Sequence, residues 1–246
     1  KVSLYQQDIV WNDVDANLRL LDNALANAGA DVAGTDLFVL PEMFTTGFIT
    51  QDGTTPEELS GKGLEWMKSR ARTLNAAIAG SIAMRLPDEG NDSQASCVNR
   101  LYFVKPDGSV EFYDKRHLFG YGGEVRRFRG GDEQLTVEWR GVRLRLAVCY
   151  DLRFPSWLRN RLNYSVLPDK SVHSEADYDA LVVVANWPQV RRFAWDTLTR
   201  ARAIENQCFV LAVNRTGVED NGESRIIYNG GSALIDPKGN VVASVG

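Results

Sequence analysis

The sequence predicts a layered α/β fold, and three observations carry that expectation. Short apolar runs with the character of buried strands alternate with stretches of helical spacing. Hairpin turn signals punctuate the series. A chain of 246 residues with 44% apolar content can bury a sizeable core without disulfide staples. Mixed strands with helices outside them predict a single domain over residues 1–246, because neither a repeat nor a low-complexity linker divides the chain.

Val14, Leu18, Leu21 and Leu25 fall on one helical face, with Asn12 or Asp13 available as the cap. Leu37 to Leu40, stopped by Pro41, reads as a buried strand. Leu64, Met67, Ala71 and Leu74 mark a second helix, and Ile78 to Met84 the strand after it. Strands near Cys97 to Val104 and Val110 to Tyr113 flank the turn signal Pro106-Asp107-Gly108. A further hairpin is expected around Arg140-Gly141, leading into the strand Leu144 to Val148 and a short helix beginning near Pro155. Ala180 to Ala185 is a strongly apolar strand, Phe193 to Asn206 a helix and Cys208 to Val213 a strand. Gly231 to Ile235 and Val241 to Ser244 form the last hairpin around Pro237-Lys238-Gly239. Asn163 to Asp179 is polar and patternless, which predicts a long surface loop.

Composition narrows the chemistry. A formal net charge of −4 supplies no basic surplus for phosphate, so no nucleic-acid partner is expected. Three cysteines, Cys97, Cys149 and Cys208, argue against a disulfide framework and fit a reducing compartment. With only His117 and His173 present, and no close Cys/His spacing, no metal site is expected. No run approaches the ~18 apolar residues that span a bilayer, and the amino terminus lacks the apolar segment of a signal peptide, so the protein reads as cytoplasmic with no membrane partner. The missing initiator Met and the abrupt end at Val245-Gly246 suggest a trimmed chain.

Ligands of open α/β sheets gather beyond the carboxyl ends of strands. Glu42, Cys149 and Asn186 each follow an apolar strand, and Lys115 ends the hairpin strand before it. A thiol with a free pKa of about 8.5 needs a base or a cation to act as an efficient nucleophile at neutral pH. Glu42 could take its proton, and Lys115 could hold the carboxylate and a developing oxyanion. Each residue also has a plainer reading. A cysteine closing an apolar strand is more often core than nucleophile, and Cys97 and Cys208 belong in that class. Glu42 could cap a loop, and Lys115 could be a surface cation.

Leu40-Pro41-Glu42, Asp114-Lys115-Arg116-His117-Leu118-Phe119 and Cys149-Tyr150-Asp151-Leu152-Arg153-Phe154-Pro155 resemble, in order, the three signature segments of the nitrilase or carbon–nitrogen hydrolase superfamily. Asn186-Trp187-Pro188, Arg202 to Gln207 and Gly230-Gly231-Ser232 extend the resemblance over nearly the whole chain. It implies a four-layer αββα sandwich and a catalytic triad of Glu42 as general base, Lys115 as electrostatic stabiliser and Cys149 as nucleophile, with no cofactor. Glu124 matches a second glutamate that positions Lys115 and the substrate; otherwise it is a solvated loop acid. His117 is a rival base for a Cys–His pair, and Glu42 is favoured over it. The backbone N–H of Tyr150 is expected to join Lys115 in receiving the oxyanion.

Within that superfamily the segments around Cys149 and Asn186 are most similar to bacterial omega-amidases, which implies a small amide as substrate, a thioester intermediate, and a homodimer or higher homo-oligomer. Other expected readings are an N-carbamoyl amino acid amidohydrolase, an aliphatic amidase, a nitrilase, or a catalytically silent binding protein. Arg153 could clamp a remote carboxylate, with an internal salt bridge as the alternative, and Trp187 could wall the pocket or belong to the core. Arg126, Arg127, Arg129, Arg191 and Arg192 read as solvated or interface surface. Ser156 stands where many relatives carry a carboxylate, and the segment Asn163 to Tyr178 looks like an insertion that could lie near the site's mouth. The carboxy-terminal tail that packs on a partner subunit in relatives is not in this sequence.

Overall fold

The computed structural model describes residues 1–51, 53–87, 97–220 and 225–245. In the amino-terminal half, β1 (Val2–Leu4), β2 (Leu37–Val39), β3 (Ala77–Arg85), β4 (Cys97–Val104) and β5 (Val110–Asp114) lie side by side in sequence order. The pairs from β1 to β3 are parallel and those from β3 to β5 antiparallel. The crossovers β1–β2 and β2–β3 contain α1 (Val14–Ala28) and α2 (Lys62–Leu74), as parallel neighbours require. Asp13 caps α1 by accepting from Ala16 N at 2.9 Å. The apolar stripes expected for both helices meet the outer face of this sheet: Leu21, Leu64, Met67 and Ala71 pack with Phe38, Ile78, Ile82 and Tyr102.

The second half contains β6 (Thr136–Trp139), β7 (Val142–Val148), β8 (Leu162–Val166), β9 (Val172–Ala176), β10 (Ala180–Ala185), α3 (Arg192–Asn206), β11 (Phe209–Asn214), β12 (Thr216–Asp220), β13 (Arg225–Asn229), β14 (Ala233–Ile235) and β15 (Val241–Ser244). Six of these strands form a second sheet in the order β15-β14-β11-β10-β7-β6, in which β7, β10 and β11 are parallel. The inner faces of the two sheets share one apolar core, Val39, Ala79, Leu101 and Phe103 from the first with Leu146, Val148, Val182 and Val184 from the second. α3 covers the outer face of the second sheet through Trp195, Leu198 and Ala203. The order of layers is therefore αββα, as the resemblance implied.

Two expectations need correction, and one element is new. Residues 163–179 are not a loop: β8 and β9 pair as an antiparallel hairpin from Leu162↔Ala176 to Val166↔Val172. Paired backbone groups and the turn bond from Lys170 N to Leu167 O give this polar stretch a regularity that its composition hid. The short helical segment lies before Pro155, as a 3-10 turn over Cys149–Arg153, because Asp151 turns back to bond Val148 N at 3.0 Å. The sequence reading names no hairpin at β12–β13, whose Glu219, Ile226 and Tyr228 line the cavity described below.

Trp195 is fully buried and donates its indole N–H to Gly231 O at 2.8 Å, tying α3 to the glycine turn before β14. Trp195→Ala is expected to cost about 3–5 kcal/mol of stability, read as a lower urea midpoint at unchanged m-value. A loss below about 1 kcal/mol would show that α3 repacks without it.

Candidate active site

Four strand ends deliver the chemistry. Glu42 follows β2, Lys115 follows β5, Cys149 follows β7 and Asn186 follows β10. Because β7 and β10 are parallel neighbours and the two sheets stack face to face, their carboxyl ends open at the same edge of the sandwich.

Lys115 is the hub. Its ammonium donates to Glu42 Oε1 at 2.9 Å and to Glu124 Oε2 and Oε1 at 2.8 and 3.0 Å, and all three side chains are fully buried. Burial works against the charge, yet Glu124 and Glu42 hold the Lys115 pKa above the ordinary lysine value. Burial raises the Glu124 carboxyl, with Lys115 pulling it back and Glu42 pushing it up further. The reading of Glu124 as a solvated loop acid is excluded: it also accepts from Phe119 N at 2.6 Å.

Glu42 is held on every side. Asn99 Nδ2 donates to Glu42 Oε1 at 2.7 Å and to Glu124 Oε1 at 3.1 Å, while Asn186 N donates to Glu42 Oε2 at 2.7 Å. Asn99 is oriented in turn by Ser81, whose hydroxyl donates to its Oδ1 at 2.8 Å. Sequence reasoning missed Asn99. The signal available was an amide beside Arg100 inside a largely apolar strand, where a buried polar group must have partners.

Cys149 sits at the tip of its strand with φ 44°, a left-handed conformation that β-branched and bulky residues avoid. It is buried, with the Glu42 carboxylate among the charges that act on it. Burial and then the Glu42 charge drive its thiol pKa well above the ordinary value, against Lys115. The resting sulfur is a neutral thiol with a carboxylate beside it. Cys97 and Cys208 are buried in the cores, and burial pushes the Cys208 thiol up to about 12.

His117 is bonded to Asp151. Its Nδ1 pairs with Asp151 Oδ1 at 2.9 Å and its ring stacks on Phe154 at 3.6 Å. Asp151 is fully buried and also accepts from His117 N at 2.9 Å and from the Tyr113 hydroxyl at 2.7 Å. It links the Lys115 segment to the turn that carries Cys149.

Cys149 opens into a cavity of about 250 Å³. Tyr150, Trp187, Phe119 and Tyr228 supply aromatic walls, and Arg153 and Arg191 supply cations. The Arg153 guanidinium lies 5.1 Å from the centre of the buried Trp187 ring, and that of Arg191 lies 5.0 Å from the centre of Phe119. Arg191 is thus a cavity residue, not remote surface, whereas Arg192 is paired with Asp196 at 2.8 Å. Arg127 donates to backbone and side-chain oxygens of Gln51 and Thr54, so it braces a loop that borders the cavity. Glu219 and Tyr228 arrive on the β12–β13 hairpin, Glu219 paired with the buried Arg215 at 3.2 Å. The β8–β9 hairpin does not line this cavity. The segment that follows it is tied, through Asp179 and Arg143, to the opposite ends of β7 and β10, which corrects the expectation that it flanks the mouth.

The arrangement joins a thiol that lines the cavity with a carboxylate able to take its proton and a fixed ammonium, both fully buried. That set suits attack on a carbonyl carbon and stabilisation of the oxyanion that follows. Comparison with known proteins points the same way. The chain matches the carbon–nitrogen hydrolase family over residues 1–246. It is 41% identical over 244 residues to the omega-amidase YafV of Escherichia coli K12, covering 99% of this chain and 84% of that protein. To the 2-oxoglutaramate amidase of Bacillus subtilis it is 31% identical over 248 residues, covering 100% and 86%. The crystal structure of XC1258 from Xanthomonas campestris, a CN-hydrolase superfamily protein with an arsenic adduct in its active site, superposes with a TM-score of 0.85 at 41% identity, covering 99% of this chain and 85% of that one. With that family matched from end to end, the chain belongs to the carbon–nitrogen hydrolases.

Proposed function

We propose that this protein is a cysteine-dependent omega-amidase that cleaves the terminal carboxamide of small 2-oxo dicarboxylate monoamides to acid and ammonia. The observation that carries the reading is the buried cluster of Glu42, Lys115 and Glu124 beside Cys149, in a cavity whose wall includes Arg153. The names of the two amidase relatives support the substrate class. The reading takes residues 1–246 as one hydrolase domain acting as a cytoplasmic homo-oligomer.

The cycle follows from the geometry. Glu42 takes the thiol proton as Cys149 Sγ attacks the amide carbon, so no thiolate has to exist beforehand. The carbonyl electron pair moves to oxygen, which Lys115 Nζ and the N–H of Tyr150 receive; losing one such donor typically costs about 2.7–4 kcal/mol of transition-state stabilisation. Glu42 returns the proton to nitrogen, ammonia leaves, and a thioester remains. Water gives a proton to Glu42 as its oxygen attacks the thioester carbon; the C–S bond then breaks, the acid leaves, and the proton on Glu42 returns to Cys149 Sγ. Glu124 keeps Lys115 aimed and charged throughout. Arg153, whose guanidinium bonds no carboxylate among the described residues, is free to grip the substrate's far carboxylate against the Trp187 wall.

An ammonia-release assay over omega-amides, N-carbamoyl amino acids, aliphatic amides and nitriles should give turnover on 2-oxoglutaramate or 2-oxosuccinamate, and quenched turnover should carry an acyl adduct on Cys149 by mass spectrometry. Turnover confined to nitriles, or on no compound, would sink the proposal. Arg153→Met should raise KM about 10- to 100-fold for dicarboxylate monoamides while monocarboxylic amides change little. Equal losses on both would assign Arg153 a structural role.

The pH profile tests the base. Since the thiol pKa is raised, an enzyme relying on free thiolate would gain about tenfold in kcat/KM per pH unit through neutrality. With the proton passing directly from sulfur to Glu42, kcat/KM is expected to stay nearly level across the neutral window, because the raised thiol never has to ionise ahead of attack. A steady rise across that window would remove Glu42 from the role.

A further inference from the structure

Asn186 closes β10 at the catalytic centre, nine-tenths buried and bordering the cavity. Its backbone N–H is spent on Glu42 Oε2 and its side-chain Nδ2 on Glu42 O at 3.0 Å. Those bonds fix the amide's orientation, because the flipped form would set two carbonyl oxygens against each other. What is left is Oδ1, which meets no donor among the described residues. A buried acceptor costs on the order of 1–3 kcal/mol unless a water or a ligand donates to it, and at the edge of the cavity beside Glu42 a substrate N–H is such a donor. Gln51 Oε1, also at the cavity, lacks a partner too, but Gln51 is only half-buried and has no bond to the catalytic carboxylate.

We propose that Asn186 Oδ1 accepts a hydrogen bond from the substrate's carboxamide N–H and thereby selects amides over esters. This rests on the amidase reading above and deepens it. In the acylation step the S–C bond forms, the thiol proton passes to Glu42 and the carbonyl pair moves to oxygen. On collapse the C–N bond breaks, its electron pair stays with nitrogen, and Glu42 hands its proton to that nitrogen to give ammonia. An acceptor that holds one N–H turns the nitrogen lone pair toward Glu42 for this transfer. An ester oxygen has no hydrogen to offer, and facing Oδ1 it meets lone pair against lone pair.

The test compares succinamate with monomethyl succinate, a pair differing in N–H₂ against O–CH₃. Asn186→Ala should slow acylation by succinamate about 10- to 100-fold. Hydrolysis of the methyl ester, and of the thioester on Cys149, a step with no nitrogen present, share only the loss of the Nδ2 bond to Glu42 O, so both should fall at least tenfold less than acylation by succinamate. Should the alanine variant not fold, judged by its thermal transition, Asn186→Ser gives the same split, since its shorter hydroxyl does not reach the Oδ1 position. Equal losses on amide, ester and thioester would mean that Asn186 acts only by holding Glu42, which overturns the inference and leaves the amidase reading standing. Absence of ammonia release by the unaltered enzyme on every omega-amide overturns both together.

Discussion

Lys115 carries its charge where no water reaches it, and the two carboxylates that make this possible come from distant parts of the chain. Glu42 arrives from the end of β2 and Glu124 from the loop after β5, so the ammonium is also a cross-link between the first sheet and the cavity wall. Removing one partner from a buried ion pair leaves an uncompensated charge, at a cost of roughly 3–5 kcal/mol. Asn99 bridges both carboxylates, which satisfies lone pairs that the ammonium alone could not. Burial first, and the neighbouring Glu42 carboxylate after it, raise both Glu124 and Cys149 against the pull of Lys115.

Cys149 is held by a different network. Asp151, two residues after Cys149, gathers the Val148 and His117 backbone N–H groups, the His117 ring and the Tyr113 hydroxyl around one buried carboxylate. Trp157 Nε1 adds a bond to the same hydroxyl at 3.0 Å. These contacts fix the turn in which Cys149 adopts its positive φ, and they bind it to the segment that carries Lys115. Strain at a functional residue persists only when surrounding bonds over-determine it, and here they do. Sulfur and ammonium are thus held in register by side chains that touch neither.

The cavity mixes aromatic surface with guanidinium groups. Trp187 is core and wall at once: its indole N–H donates to Arg191 O at 2.8 Å while its ring faces Arg153. The β12–β13 hairpin closes one side, anchored by the buried Arg215, which pairs with Glu219 and donates to Ile9 O at 2.8 Å. A small, partly anionic amide suits such a space; a polymer does not.

Much of the fold was legible in order of elements. The stripes of α1 and α2, the apolar runs that became β2 and β10, and the turn signals at 106–108 and 237–239 are local properties, and local spacing records them. The candidate residues Glu42, Lys115 and Cys149 could be named because each ends a strand and because three motifs occur in a known order. Asn99, Asp151, Arg191 and the β12–β13 hairpin escaped, since nothing adjacent in sequence marks a buried amide, a bridging carboxylate or a residue that bends back over a cavity. Residue types and strand ends were thus determined by the sequence itself, through periodicity and turn chemistry. Which groups meet, which are deprived of water and which way each proton can move were decided only by stacking two sheets face to face. Distance and burial, not spacing along the chain, set the strength of a charge.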